Sequence, residues 1–320
     1  MAGATTSGTE GGRDMPSKGW LTRVLLVAAV ALPLAGRAAL ADQRSFATPE
    51  AALAALVEAL GAADPDKAMA DVFGTEHLDA VMGDDPVAAR ADLQKVYAAA
   101  KKVAALRPDG PDRFTVVVGR VAWPLPVPLV RAADGWRFDS AAGVEEITNR
   151  RIGRNELAAI EVMRAYVDAQ HEYASEDHGG DGVLEYAQRI TSTGDKRDGL
   201  YWPTAEGEAP SPFGPFVAEA GDYLEGRQAG APYHGYYFRV LTGQGPNAPG
   251  GAYSYVINGH MVAGFAMLAW PATYDDTGVM SFLVGPNGVV LEADLGPGTA
   301  ERVRTITTYD PDPSWQPSTD

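Results

Sequence analysis

The chain has 320 residues, no cysteine, and 26 basic against 42 acidic groups, giving a formal charge of −16 at neutral pH. Without a cysteine sulfur there is no disulfide, no thiol nucleophile and no lipoprotein anchor, so stability has to come from packing. An acid excess this large repels phosphate backbones and anionic lipid heads, which sets nucleic acid aside as a partner. It reads first as a device for solubility.

Lys18 and Arg23 flank the start of an apolar run, Leu25 to Ala35, that ends in small residues. With the small–x–small triplet Ala39-Leu40-Ala41 behind it, this is the pattern of a signal peptide over residues 1–41, cut before Asp42. The run is shorter than the roughly 20 residues that span a bilayer. The expected product is periplasmic or secreted, with no membrane insertion after cleavage. Met15-Pro16-Ser17-Lys18 is a more usual opening for such a segment than Met1. Removing residues 1–41 takes the charge to −18, and the length left suits two domains of roughly 150 residues each.

Thr48-Pro49-Glu50 opens the first helix, with Thr as N-cap and Pro at the first helical position, and Leu53, Leu56, Val57 and Leu60 mark its apolar face. A short helix over Pro65 to Phe73 follows, then a third from Pro86 to Leu106 with Leu93, Val96, Tyr97 and Val103 turned inward. Phe114 to Val118 and Val121 to Val130 read as strands, the second confined to a sheet edge by Pro124, Pro126 and Pro128. Ala133-Asp134-Gly135 turns the chain into a strand from Trp136 to Asp139. From Val144 to about Glu176 the pattern is helical again, with a stripe of Leu157, Ile160, Val162, Met163, Tyr166 and Val167 and a break expected at Gly153. Four more strands are expected at Gly235 to Thr242, Met261 to Ala269, Val279 to Gly285 and Val289 to Asp294, the last two joined by the Pro286-Asn287-Gly288 turn. The Pro- and Asp-rich end, residues 310–320, reads as a disordered tail.

The fold class is therefore α+β. Helices lie on a small antiparallel sheet in residues 42–143, and a long helix packs on an antiparallel sheet in residues 144–309.

The strings Gly235-Tyr236-Tyr237-Phe238-Arg239-Val240-Leu241-Thr242, Asn247-Ala248-Pro249-Gly250-Gly251-Ala252-Tyr253 and Gly264-Phe265-Ala266-Met267-Leu268-Ala269-Trp270-Pro271-Ala272 resemble a bacterial exported family, domain-of-unknown-function family 2950. Gly182-Val183-Leu184-Glu185-Tyr186-Ala187-Gln188 and Gly199-Leu200-Tyr201-Trp202-Pro203 carry the same resemblance, which covers nearly the whole chain after residue 41 and brings no activity with it. The half from Arg154 onward also resembles the head domain of type IV pilins and pseudopilins, through Pro271-Ala272-Thr273-Tyr274-Asp275-Asp276-Thr277-Gly278. A pilin's helix starts in the membrane, whereas Asn149-Arg150-Arg151-Ile152-Gly153-Arg154 precedes this one. That resemblance implies a head reused as a soluble module. The first module resembles the nuclear-transport-factor-like cone, including the Asp-Gly-Trp-Arg-Phe strand.

Asp177-His178-Gly179-Gly180-Asp181-Gly182 followed by Glu185 sets hard oxygen ligands among glycines, so Asp177, Asp181 and Glu185 are candidate Ca²⁺ ligands. The run departs from the helix-loop-helix calcium pattern, because Gly179 stands at the second ligand position and Gln188 at the terminal Glu. The alternative is a helix-ending loop whose acids are solvated, and no other cofactor is expected. His171 and His178, seven apart beside Glu172 and Glu176, would share a helix face, and Asp181 or Glu185 could supply the third ligand that zinc needs. No H-E-x-x-H or similar spacing is present, however, and exposed surface histidines are the alternative. Ser192, Ser254 and Ser281 sit in no G-x-S-x-G elbow, and the glycine-rich Gly243-Gln244-Gly245 lacks the Lys of a phosphate loop. Tyr201 and Trp202, in a loop, are the candidate ligand-binding aromatics, since flat rings hold sugars or peptides. The readings left open are a non-catalytic envelope module binding a protein or glycan, a carboxylate-dependent hydrolase of envelope polymers, and a calcium-stiffened structural module. Oligomeric state is not legible.

Overall fold

The computed structural model describes residues 43–82, 86–205, 207–219 and 231–319. The expected signal peptide, residues 1–41, lies outside them. Helices combine with several antiparallel sheets, an α+β fold, and residues 42–320 form one compact unit with two hydrophobic cores.

Helix α1 (Pro49–Leu60) starts where Thr48 Oγ1 accepts the Ala51 N–H at 3.2 Å, and it buries Ala52, Leu56, Ala59 and Leu60. Asp64 caps α2 (Pro65–Phe73) in the same way, through the Lys67 N–H. A short α3 (Leu78–Met82) and α4 (Pro86–Ala100) complete the helical layer. The third expected helix stops at Ala100, six residues early. Residues Ala104–Pro108 form strand β1 instead, paired antiparallel with β2 (Arg113–Val118) from Ala104↔Val118 to Pro108↔Phe114. A ladder partner rich in β-branched residues outweighs another helical turn here, and Val103 is left 41% exposed rather than inward.

The segment expected to be an edge strand is split in two. β3 (Trp123–Pro124) and β4 (Leu129–Ala132) both pair with β2, and β4 also pairs with β5 (Gly135–Phe138), so β4 is an inner strand. Pro126 and Pro128 fall in the gap between β3 and β4, where no ladder donor is needed. Gly135 is required: its φ is 138°, and a Cβ there would lie 2.5 Å from the Phe46 carbonyl oxygen. Phe73 and Phe138 meet edge-on at 5.3 Å in the core this sheet shares with α1 and α2.

Helix α5 (Ser140–Tyr173) begins four residues before its expected start, because Asp139 accepts the Ala142 N–H at 3.0 Å and caps it. It runs for 34 residues without the break expected at Gly153. Its first turns belong to the N-terminal core, where a Cβ on Gly143 would lie 2.7 Å from a Val127 methyl. Its second half buries Ala159, Ile160, Val162, Met163, Tyr166 and Val167 against the C-terminal sheet, while Leu157, expected in that stripe, is exposed.

The C-terminal sheet has the order β14-β13-β12-β11-β6, from β6 (Tyr236–Leu241), β11 (Ala266–Pro271), β12 (Met280–Val284), β13 (Val290–Asp294) and β14 (Gln316–Pro317). Small hairpins join β7 (Gly243–Gln244) to β8 (Tyr253–Ser254) and β9 (Val256–Ile257) to β10 (His260–Met261). Short helices α6 (Gly214–Glu219) and α7 (Thr299–Thr305) complete the described elements. The expected strand from Met261 is broken before Ala266 by Gly264, whose φ is 150° and where a Cβ would press to 2.8 Å from the Tyr255 ring. At the Pro286-Asn287-Gly288 turn only Gly288 takes positive φ (70°), and Asn287 Oδ1 accepts the Val289 N–H. Residues 310–319 are ordered rather than a loose tail: Trp315 is buried, β14 pairs with β13, and the Ser318 N–H donates to Val290 at 2.9 Å. An indole with area to bury and an edge strand open to pairing outweigh the Pro- and Asp-rich composition.

Candidate functional site

The loop after α5 is built by its own first acid. Asp177 accepts the N–H groups of Gly180 (2.7 Å) and Gly182 (2.8 Å), and both glycines have positive φ. Those donors, Gly182 first, hold the Asp177 carboxyl below the usual carboxylate range. Asp181 Oδ1 accepts the Val183 N–H, and Glu185 Oε2 accepts the Met261 N–H at 3.2 Å. The structure thus brings Asp181 and Glu185 together, but around a histidine absent from the sequence reading. His260 Nδ1 lies 3.4 Å from Glu185 Oε2, and its Nε2 lies 3.6 Å from Asp181 Oδ2.

The signal for this histidine was present. Asn258-Gly259 between Val256-Ile257 and His260-Met261 is a two-residue hairpin turn, with φ of 51° and 92°, and it carries His260 back towards Glu185. Among the described residues no three or more His, Asp or Glu side chains converge as a metal ion requires. A histidine flanked by carboxylates can relay a proton. Of the hydroxyls considered as nucleophiles, Ser254 bonds the backbone of Val256 and Ser192 that of Gly199, while Ser281 is wholly buried.

His171 and His178 do not share a helix face, because α5 ends at Tyr173. His178 stacks on Tyr173 at 4.2 Å and meets Trp202 at 5.5 Å, while His171 packs edge-on against Phe265 and Tyr186. The Tyr173 hydroxyl is pushed up to about 12, chiefly by burial and then by the Glu185 charge.

Trp202 is not an exposed platform. It is 9% exposed, held between His178 and the Arg197 guanidinium, with its neighbour Leu200 fully buried and Tyr201 half-buried in a bridge to Thr191. The area of an indole stabilises more when covered than when presented to solvent.

The N-terminal core contains what these loops lack, an open volume. A cavity of about 280 Å³ lies between α1, α2, α3, α4, α5 and the β3–β4 segment. Leu56, Leu60, Met69, Phe73, Leu93, Val96, Leu125, Val127 and Ile147 form its wall. Among the described lining residues the one charged side chain, Asp92, is exposed and bonds Lys95 at 2.8 Å. Trp123, 46% exposed, also lines the cavity and so marks where it meets the surface. Its lining is almost wholly apolar, the kind of surface that ligand sites present. Leu93 and Val96 were expected to face inward, and they do, but they face a hollow.

The family model described as a protein of unknown function, DUF2950, matches residues 43–318. No curated protein and no solved structure matches the chain.

Proposed function

The chain belongs to the DUF2950 family, whose description assigns no activity, and we propose that it is an exported, non-catalytic binding protein whose N-terminal module takes up an apolar ligand. The observation that carries this reading is the cavity of about 280 Å³ with its wall of aliphatic and aromatic side chains. A dry cavity of ~150 Å³ admits benzene, so this one suits a chain or fused-ring hydrocarbon of about ten to twelve carbons. Ligand sites are hollows lined mainly by apolar groups. Among the described residues the wall offers no polar anchor in its interior, so the part of the ligand inside carries none.

The charged flank, short apolar run and small-residue triplet of residues 18–41 support export, and no helix among the described residues is long and apolar enough to cross a membrane. A hydrolase would use Asp181, Glu185 and His260, which lie outside the cavity wall.

The test is thermal unfolding of residues 42–320 with 1-dodecanol. A ligand at 100 times its Kd adds about 2.7 kcal/mol to the native state, and Leu93→Trp, which fills the hollow, should remove the shift. No shift in the unaltered chain would end the proposal.

A further inference from the structure

The cavity reaches the surface at one end of the N-terminal sheet, and the chemistry of that end differs from the rest of the chain. The link between α4 and β1 abuts the turn between β2 and β3 there, the Gly119 N–H donating to Val103 at 2.9 Å. Gly119 and Ala122 both have positive φ (73° and 52°), which closes the turn tightly and holds Val121 at its tip. Val121 is 86% exposed, Trp123 46% and Val103 41%, three large apolar side chains together on a surface that would ordinarily cover them.

Around them are Lys101, Lys102 and Arg120, all exposed, and a shallow hollow lined by Lys95, Lys102 and Arg120 lies beside the turn. Among the described residues, Lys102 and Arg120 enter no ion pair. The nearby acid Asp92 is already matched by Lys95. Among the described residues this is a local reversal of sign on a chain of net charge −16. Exposed charges act over about a Debye length, ~8 Å at physiological salt, so the distant acids do not cancel this end for a surface in contact with it.

We propose that this end of the N-terminal module docks on an anionic lipid surface, with Val103, Val121 and Trp123 entering the headgroup boundary and Lys101, Lys102 and Arg120 meeting the lipid phosphates. Binding of this kind combines buried apolar area with attraction to anionic lipid. The proposal extends the cavity reading, because Trp123 belongs to both the docking end and the cavity wall. It runs against the expectation that the acidic chain as a whole avoids such lipids, and vesicle binding decides between the two.

The experiment is co-sedimentation of residues 42–320 with vesicles of phosphatidylglycerol mixed with phosphatidylcholine, and with phosphatidylcholine alone. The expected result is pelleting with the anionic vesicles only, weakened by salt. The pair Lys102→Glu and Arg120→Glu should lower affinity at least about tenfold, on the scale of about fivefold per basic group. Val121→Asp should lower it independently, and thermal unfolding of each variant checks that these fully exposed positions leave the fold intact. No pelleting of the unaltered chain, equal pelleting on both vesicles, or variants that pellet as the unaltered chain does would overturn the docking. Dodecanol binding in free solution reports on the cavity separately. If dodecanol binds and vesicles do not, only the docking fails. If vesicles bind and dodecanol does not, the cavity reading fails and the docking stands.

Discussion

The core around Phe73 and Leu93 and the core around Tyr166 and Phe265 are filled in different ways. In the C-terminal core the four residues Ala266–Ala269 of β11 are 0% exposed, and the buried amides of Gln170 and Gln244 have partners. Gln170 donates to Tyr166 Oη and the Ala187 carbonyl and accepts the Ala187 N–H, all within 2.8–2.9 Å, while the Tyr166 hydroxyl donates to Ala266. Gln244 donates at 2.7 Å to the Pro249 and Gly251 carbonyls and accepts from Tyr255. Networks satisfied like this fix one arrangement of the parts they join. The N-terminal core keeps about 280 Å³ unfilled behind a thin, interrupted sheet. Close packing makes the first a scaffold; the open volume leaves the second free to take something in.

Substitution should expose that contrast most strongly at full burial. Phe282→Ala in β12, where the ring is 0% exposed, should cost about 3–5 kcal/mol. Leu93→Ala on the cavity wall should cost less than half as much, because part of its surroundings is already empty. Urea unfolding of both variants measures the difference, and equal costs would break the comparison. Gln170→Leu comes next: it leaves both backbone groups of Ala187 buried and unpaired, at about 1–3 kcal/mol.

Adding volume should keep the same order between the cores and can change the sign in the N-terminal one. Ala269→Leu overpacks β11 and should cost about 1–3 kcal/mol, whereas Leu93→Phe should fall within about 1 kcal/mol of the unaltered chain or gain stability. A penalty at Leu93 as large as that at Ala269 would mean the hollow closes in solution.

Alkaline titration sharpens the contrast without mutation. Burial raises the hydroxyls of Tyr166, Tyr236 and Tyr255, and it takes Tyr173 up to about 12. A folded value above the unfolded one, about 10, gives stability that is full below pH ~10 and is lost as pH rises through the folded values. Tyrosinate absorbance from this core should therefore appear together with loss of its circular dichroism. Early ionisation with the fold intact would contradict the tight packing.

The smallest effect is expected at Asp177. Its lowered value means its contribution is present above about 3.9 and fades as pH falls through the folded value. Asp177→Ala should speed hydrogen exchange at Gly180 and Gly182 and change little else; unchanged exchange would remove the capping role.

Much of the scaffold was legible because its signals are local. Thr48-Pro49 and the Pro286-Asn287-Gly288 turn name their own backbone states, and both stand where expected. The boundary between α4 and β1 was not, since Ala100 to Leu106 keeps helix-compatible spacing and only the distant β2 supplies the competing partner. Trp315 and Trp202 lie in segments of loop-like composition, and what buries them comes from elsewhere in the chain. The cavity could not be read at all. Leu56, Leu93 and Val127 look the same in sequence whether the space between them is full or empty, because packing density is a property of three-dimensional arrangement.

The most direct test is a crystal of residues 42–320 soaked with 1-bromododecane and measured at the bromine edge. The account predicts an ordered alkyl chain between Leu93, Val96 and Ile147, with its bromine near Trp123 or deep against Phe73. A cavity collapsed onto itself, or bromine bound only at other places, would contradict it.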